Sequence, residues 1–297
     1  MLELRDLADL LTAHRDAYEV RLEPFSVRGV RFGHHPETAL MGVVNLSSDS
    51  WYRESVSLSV EAAIRRGRRL LADGAVMIDV GAESTVLHAE RVGGEEQRSR
   101  LLPVIEGLTA SGALVSIETY LPEVASACLK AGAAVLNLTA AAETEVFYDL
   151  AAQHDAGVIV CYVQGKNVRE VGDFQTSEDH GAILEDYFAR EIGKAREAGV
   201  KAIWMDPGLG FYSRNLKDSA TRVRYQMTTF LHAFRLRKLG FPVCQALPHA
   251  FEYFEDEVRC AEPFFAVLAS LGKVDLIRTH EVSRVTGVLR TMGVWGR

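Results

Sequence analysis

The chain has 297 residues, 48% of them hydrophobic and 25% charged, and its 33 Lys and Arg against 40 Asp and Glu give a net charge of −7. That composition excludes a disordered, collagen-like or disulfide-dense protein, and the length suits one large domain or two small ones. No stretch approaches the roughly 18 consecutive apolar residues that span a bilayer, and an acidic balance without a basic tract argues against nucleic acid as a partner. The opening Met1-Leu2-Glu3-Leu4-Arg5-Asp6 has no basic-then-apolar leader pattern. Cys128, Cys161, Cys244 and Cys260 lack Cys-x-x-Cys spacing and read as reduced thiols of a cytoplasmic protein.

In chain order, Leu2–Leu11 predicts a short amphipathic helix, and Phe25–Phe32, with Arg28-Gly29 inside it, a small hairpin. Residues 1–39 form this extension, and 40–297 form the domain proper. From there apolar runs recur at Leu40–Asn45, Ala75–Val80, Ala113–Glu118, Ala133–Leu138, Gly157–Tyr162, Lys201–Asp206, Pro242–Leu247 and Val274–Thr279. Continuous apolar runs suit parallel strands buried on both faces. Helix-period segments lie between them at Ser59–Ala72, Pro122–Ala131, Glu178–Ala198, Thr221–Leu239 and Pro263–Leu271. Pro122 stands in a first turn, and Gly132, Gly199, Gly240 and Gly272 supply stops. Strands and helices alternating over about 250 residues predict an α/β fold, a (β/α)8 barrel with the short helix and hairpin in front of it. A doubly wound sheet is the alternative, but no Gly-x-Gly-x-x-Gly follows the first run. Arg65-Arg66-Gly67-Arg68-Arg69 reads as a solvated helix face, and Arg235-Leu236-Arg237-Lys238 as cations at a helix C-terminus, where the dipole favours them. Cys161 and Cys244 read as packing residues, His34, His35 and His88 as surface loop residues, and the acidic run Glu252 to Glu257 as a solvated face.

In a barrel the strand C-termini converge on the active site. The runs here end in Asn45, Asp79, Glu118, Asn137 and Asp206, with Tyr162 and Gln164 after the fifth, His249 after the seventh, and Arg278 and His280 at the eighth. Carboxylates and amides pair with the edge of a flat nitrogen ring, and Arg and His hold an anion. The set therefore predicts a site for a polar heterocycle plus an anion. Singly, each of these residues also suits the cap of the next helix.

Five segments carry a resemblance. Met41-Gly42-Val43-Val44-Asn45-Leu46-Ser47-Ser48-Asp49-Ser50, Ile78-Asp79-Val80-Gly81-Ala82-Glu83-Ser84-Thr85, Ser116-Ile117-Glu118-Thr119-Tyr120, Asp206-Pro207-Gly208-Leu209-Gly210-Phe211 and Arg278-Thr279-His280-Glu281-Val282 are similar, in order, to signatures of the dihydropteroate synthase family, which are pterin-binding barrels. The resemblance implies transfer of a reduced pterin or folate, classically from dihydropterin pyrophosphate to para-aminobenzoate, by an SN1-like displacement with Mg²⁺. It implies that Asp206, Asn137 and Glu118 hold the pterin edge, with Phe211 lining the ring pocket and Arg278 on the ring face. Asn45, Thr85, Arg278 and His280 would handle pyrophosphate, with Asn45 next to the metal. A homodimer is implied as well. Tyr162, Gln164 and His249 are further candidates for ligand contact.

The departures point one way. Pro248-His249-Ala250 replaces the family's Ser-Arg-Lys, and Thr85-Val86-Leu87-His88 replaces Thr-Arg-Pro-Gly. Tyr52-Arg53-Glu54-Ser55 replaces an Asp-Gly-Gly ending, and Glu118 replaces an aspartate. Alanine cannot stand in for an ammonium donor, and proline has neither hydroxyl nor N–H. The pterin end is largely kept and the benzoate end largely lost. The sequence therefore predicts a diverged transferase with an altered acceptor. An active dihydropteroate synthase and a non-catalytic pterin-binding or partner protein are the alternatives.

Overall fold

The computed structural model describes residues 1–33, 38–47, 56–57, 59–83, 91–140, 143–165, 180–209 and 218–295. Helix α1 (Leu4–Ala13) and a single turn, α2 (Arg15–Tyr18), lead into the antiparallel hairpin β1 (Phe25–Val27) and β2 (Val30–Phe32). Arg28 and Gly29 both have positive φ, the signature of a two-residue hairpin turn. Eight parallel strands follow: β3 (Ala39–Asn45), β4 (Met77–Gly81), β5 (Val115–Glu118), β6 (Val135–Leu138), β7 (Gly157–Cys161), β8 (Ile203–Asp206), β9 (Cys244–Ala246) and β10 (Leu276–Thr279). Their spatial order is β8-β7-β6-β5-β4-β3-β10-β9, and a bridge between Met205 and Val243 brings β8 to the segment before β9. The result is the expected (β/α)8 barrel.

Six of the eight strands lie within their predicted apolar runs, and β3 and β4 overrun theirs by one residue each, at Ala39 and Gly81; residues buried on both faces leave no polar alternation. Between them run α3 (Val60–Ala72), α4 (Gly94–Thr109), α5 (Pro122–Lys130), α6 (Thr144–Gln153), α7 (His180–Glu197), α8 (Ser219–His232), α9 (Phe251–Phe254), α10 (Ala261–Leu271) and α11 (Val282–Met292). Ser59 caps α3 by accepting the Ala62 N–H at 3.2 Å, and Asp218 caps α8 by accepting that of Thr221 at 2.7 Å. Arg65, Arg68 and Arg69 are exposed, as expected for an outer face, while Arg66 turns back and donates to the Val43 carbonyl at 3.2 Å.

One helix reading is corrected. The segment predicted as a single helix over Thr221–Leu239 is α8 followed by a 3-10 helix, Ala233–Leu239. Arg235 and Arg237 are buried there rather than solvated at a helix end. The Arg237 Nη1 lies 2.6 Å from Asp275 Oδ1, and the Val243 N–H donates to Oδ2 at 2.9 Å. A buried cation needs such a partner, and the Asp275 pair decides the burial.

The barrel interior divides into two levels. At its N-terminal end Met41, Met77, Val135, Ile159, Trp204, Cys244 and Leu276 pack together with Val27 and Phe32 of the hairpin. Phe25 and Phe32 both meet the Trp204 ring edge-on at centroid distances of 5.0 Å. The hairpin thus stoppers that end of the barrel. Gly157 makes room for the indole: a Cβ there would stand 2.8 Å from the Trp204 ring. Above this apolar level the inward positions turn polar, at Asp79, Ser116, Glu118, Asn137, Asp206 and Arg278.

Candidate active site

The polar level is built by register. Asp79 pairs with Ser116 across β4 and β5, Glu118 with Asn137 across β5 and β6, and Cys161 with Asp206 across β7 and β8. Paired residues of neighbouring strands share a face, so all of these side chains enter one lumen. Asp79, fully buried, is the hub. Its Oδ1 accepts the Ser116 hydroxyl at 2.7 Å, and its Oδ2 accepts Asn137 Nδ2 at 3.2 Å and Arg278 Nε at 2.8 Å. A second edge of the same guanidinium, Nη2, lies 3.5 Å from Glu118 Oε2. Both contacts hold Arg278 by its rim and fix the plane of its π-face. The sequence placed Asp79 at a strand end without giving it a role. The structure makes it the group that orients Arg278 and Asn137.

Glu118 is positioned from its other side by Thr139, whose hydroxyl donates to Oε1 at 2.9 Å and lies 3.1 Å from the Tyr120 hydroxyl. Asp206 is held differently. Its Oδ1 accepts the Gly208 N–H at 2.9 Å. Gly208 has φ +65°, and a Cβ there would lie 2.7 Å from the Tyr162 carbonyl oxygen. Only glycine suits that turn. Burial pushes the Asp206 carboxyl up to about 6, against the pull of Gly208 and Arg278. Burial likewise raises the Cys161 and Cys244 thiols well above their usual range, so both stay protonated packing groups.

At the rim, His280 follows β10 and His249 follows β9. Both turn to one carboxylate that the sequence did not flag, Glu262, fully buried in the first turn of α10. Its Oε1 lies 2.8 Å from His280 Nδ1 and 3.1 Å from His249 Nε2. Its Oε2 accepts the Thr279 hydroxyl, the His280 N–H at 3.0 Å and the Glu281 N–H at 3.1 Å. Burial alone would raise this carboxyl, but the two imidazoles and their hydrogen bonds hold it well below the usual range. Burial lowers His280, opposed by Glu262.

Asn45 ends β3 opposite Gly81, one inward step beyond Val43 and toward the mouth. Gln164 and Tyr162 lie past β7 and meet each other, Gln164 Nε2 donating to the Tyr162 hydroxyl at 2.6 Å, while the Tyr162 ring packs edge-on against Tyr187. Thr85, Phe211, His34, His35 and His88, with the loop segments 52–55 and 85–88, lie outside the described residues. A second unflagged residue, buried Gln97 of α4, donates to Glu83 Oε2 and to the Val92 carbonyl, each at 2.9 Å, and accepts the Thr119 hydroxyl at 2.8 Å. It ties together the chain leaving β4 and β5. No sequence signal marks it, since a helical glutamine reads as a surface residue.

The arrangement offers hydrogen-bonding edges to a planar ring, a flat cation and a histidine pair, all at the C-terminal mouth. Comparison with known proteins decides the family. The model of the family described as pterin binding enzyme matches residues 41–247. A dihydropteroate synthase of Streptococcus pyogenes serotype M6 is 32% identical over 209 residues, covering 69% of this chain and 73% of that protein. The chain belongs to the dihydropteroate synthase family. Among solved structures it resembles the Thermus thermophilus dihydropteroate synthase in complex with 4-aminobenzoate, with 27% identity, a TM-score of 0.74, and 92% and 99% of the two chains covered. It also resembles the Xanthomonas albilineans enzyme in complex with 7,8-dihydropteroate, with 25% identity, a TM-score of 0.73, and 92% and 98% covered. As a member of this family the protein is a pterin-binding transferase. Among the described residues no helix is long and apolar enough to cross a membrane.

Proposed function

We propose that this family member transfers a reduced pterin, from a pyrophosphate-type donor, to an acceptor other than para-aminobenzoate. The observation that carries the pterin half is the single lattice of Asp79, Ser116, Asn137, Glu118 and Arg278 beside buried Asp206. Asp206, Asn137 and Glu118 present donor and acceptor groups to the ring edge, and the guanidinium plane of Arg278 offers a stacking face. In this reading His280 and Arg278, at the end of β10, would meet the charge that develops on the departing anion. Fixed donors at such a point are commonly worth about 10²- to 10³-fold in rate each.

Magnesium fits this donor set at one point. Asn45 offers a neutral amide oxygen at the mouth, whereas Asp79 and Glu118 are already engaged with Arg278. A cation that keeps most of its waters and substrate phosphates needs little more from the protein. When bound, it would supply charge neutralisation to the phosphates.

The acceptor half rests on the turn after β9. Pro248 has no N–H, Ala250 ends in a methyl group, and His249 is drawn toward Glu262 at 3.1 Å. The turn therefore lacks the hydroxyl and ammonium of the family pattern. The curated relatives at 32% identity favour a second reading, an ordinary dihydropteroate synthase. The same homodimer and cytoplasmic setting are expected under both.

Calorimetric titration with dihydropterin pyrophosphate and Mg²⁺, followed by a product assay with para-aminobenzoate beside the S. pyogenes enzyme, separates the two. The proposal expects pterin binding with para-aminobenzoate turnover at least 100-fold slower than in that relative. Equal turnover restores the ordinary synthase reading, and absence of pterin binding overturns both.

A further inference from the structure

The cluster formed by His249, Glu262 and His280 is more elaborate than anion binding requires. Two imidazole nitrogens, His280 Nδ1 and His249 Nε2, converge on one carboxylate oxygen at 2.8 and 3.1 Å. The three donor atoms all lie within 4.8 Å of one another. We infer that His249, Glu262 and His280 form a site for a divalent transition-metal ion of the zinc type at the rim of the barrel mouth.

The donor chemistry selects the ion. Two imidazoles and one carboxylate suit zinc and its first-row neighbours and leave a fourth position open, whereas Mg²⁺ takes oxygen ligands almost exclusively. The geometry is close to what such an ion needs. Tetrahedral zinc with bonds of about 2.0–2.1 Å has ligand–ligand edges of about 3.3 Å. Each nitrogen-to-oxygen edge here has to open by a few tenths of an ångström, and the nitrogen-to-nitrogen edge, which lies within 4.8 Å, has to settle at the same length.

The supporting bonds are already in place. Glu262 Oε2 is fixed by the Thr279 hydroxyl and two backbone N–H groups, leaving Oε1 as the oxygen that faces both rings. Such outer partners orient metal-binding carboxylates and are commonly worth about 10- to 100-fold in affinity. Glu281, next to the cluster, is already neutralised by Arg259 at 2.6 Å and Arg284 at 2.9 Å, which leaves the charge of Glu262 to the histidines and the ion. Without metal, His280 Nδ1 lies at hydrogen-bond distance, 2.8 Å, from Glu262 Oε1. Metal binds imidazole through an unprotonated nitrogen, so its entry would release any proton held there. This inference does not depend on the identity of the acceptor or on the pterin reading.

The experiment is calorimetric titration of chelator-treated protein with Zn²⁺, and separately with Co²⁺, whose ligand-field spectrum reports coordination by imidazole and carboxylate. The wild-type protein is expected to bind one Zn²⁺ per chain, undisturbed by millimolar Mg²⁺, with a Co²⁺ spectrum of low coordination number. His249→Ala and Glu262→Gln should each weaken Zn²⁺ binding by at least about 100-fold. His249 is on a loop, so its variant keeps the test valid should the buried Glu262 variant misfold. No zinc binding by the wild-type protein overturns the inference. So does equal binding by His249→Ala, which places the ion on other residues.

Discussion

Replacing Asp206 by asparagine should make this protein more stable while disabling its site. The Asp206 carboxylate is buried at the end of β8; among the described residues it has one hydrogen bond, from the Gly208 N–H at 2.9 Å, and Arg278 supplies a compensating charge. Burial outweighs both, so the group titrates at about 6 in the folded protein against 3.8 for the ordinary side chain. Between those two pH values the folded chain still holds a proton that the unfolded chain has released. Stability from this group is therefore fully present below about pH 4 and is lost as the pH rises through about 6. A rise of that size corresponds to about 3 kcal/mol, an upper bound because water penetration softens burial. Asparagine keeps an oxygen for the Gly208 N–H and carries no charge. Urea unfolding of both proteins between pH 4 and pH 7.5 should give equal stabilities at the acid end and a variant more stable by about 2–3 kcal/mol above pH 6. Binding of a reduced pterin, which needs the ionised acceptor, should weaken about 10- to 100-fold in the variant, and in the wild-type protein it should weaken as the pH falls below about 6. A variant less stable than wild type at pH 7.5 would refute the reasoning, because it would mean that the attraction of Arg278 exceeds the cost of burial.

Two further substitutions test the lattice around that group. Arg278→Met leaves the fully buried Asp79 carboxylate without its cation and should cost about 3–5 kcal/mol by urea unfolding, most of it recovered when Asp79→Asn is added; a loss below about 1 kcal/mol would show that Ser116 and Asn137 suffice for Asp79. Gly208→Ala forces a side chain onto a backbone at φ +65° and places its Cβ 2.7 Å from the Tyr162 carbonyl oxygen. It should cost at least about 1–2 kcal/mol and lower pterin affinity by displacing Asp206, and unchanged affinity would sever the link between that turn and the carboxylate.

The barrel was legible because its strands are buried on both faces. Every strand falls on a continuous apolar run to within one residue, and even β9, with only three paired residues, sits within Pro242–Leu247. Besides the single turns α2 and α9, three longer helices left no comparable signal. α4 opens on Gly94 and contains Pro103, α6 starts after Glu143 in a left-handed conformation, and α11 carries Gly287 in its middle. Of the site, the residues at strand ends were legible, since the barrel itself says where strand ends meet. Glu262, Gln97 and Arg237 were not. Each is a polar residue in a helical segment, and local pattern assigns such residues to solvent. What buries them lies far along the chain: Asp275 for Arg237, Thr119 for Gln97, and His280 for Glu262. Their place depends on tertiary pairing, which periodicity does not encode.

The way the buried acids are satisfied separates support from recognition. Asp79 spends its oxygens on Ser116, Asn137 and Arg278, and Asp275 on Arg237 and the Val243 N–H. Glu262 spends its own on a hydroxyl, backbone N–H groups and two imidazoles. These carboxylates are consumed by the protein and hold other groups still. Asp206 differs. Among the described residues its one hydrogen bond comes from the Gly208 backbone, although an ionised carboxylate has about four acceptor sites. A buried anion left so sparsely bonded costs stability, which its raised titration records. A planar ligand offering ring and amino N–H donors would fill those sites and return the carboxyl to its charged form. Asp206, raised by burial and sparsely bonded, therefore costs the folded protein stability that a bound pterin would return.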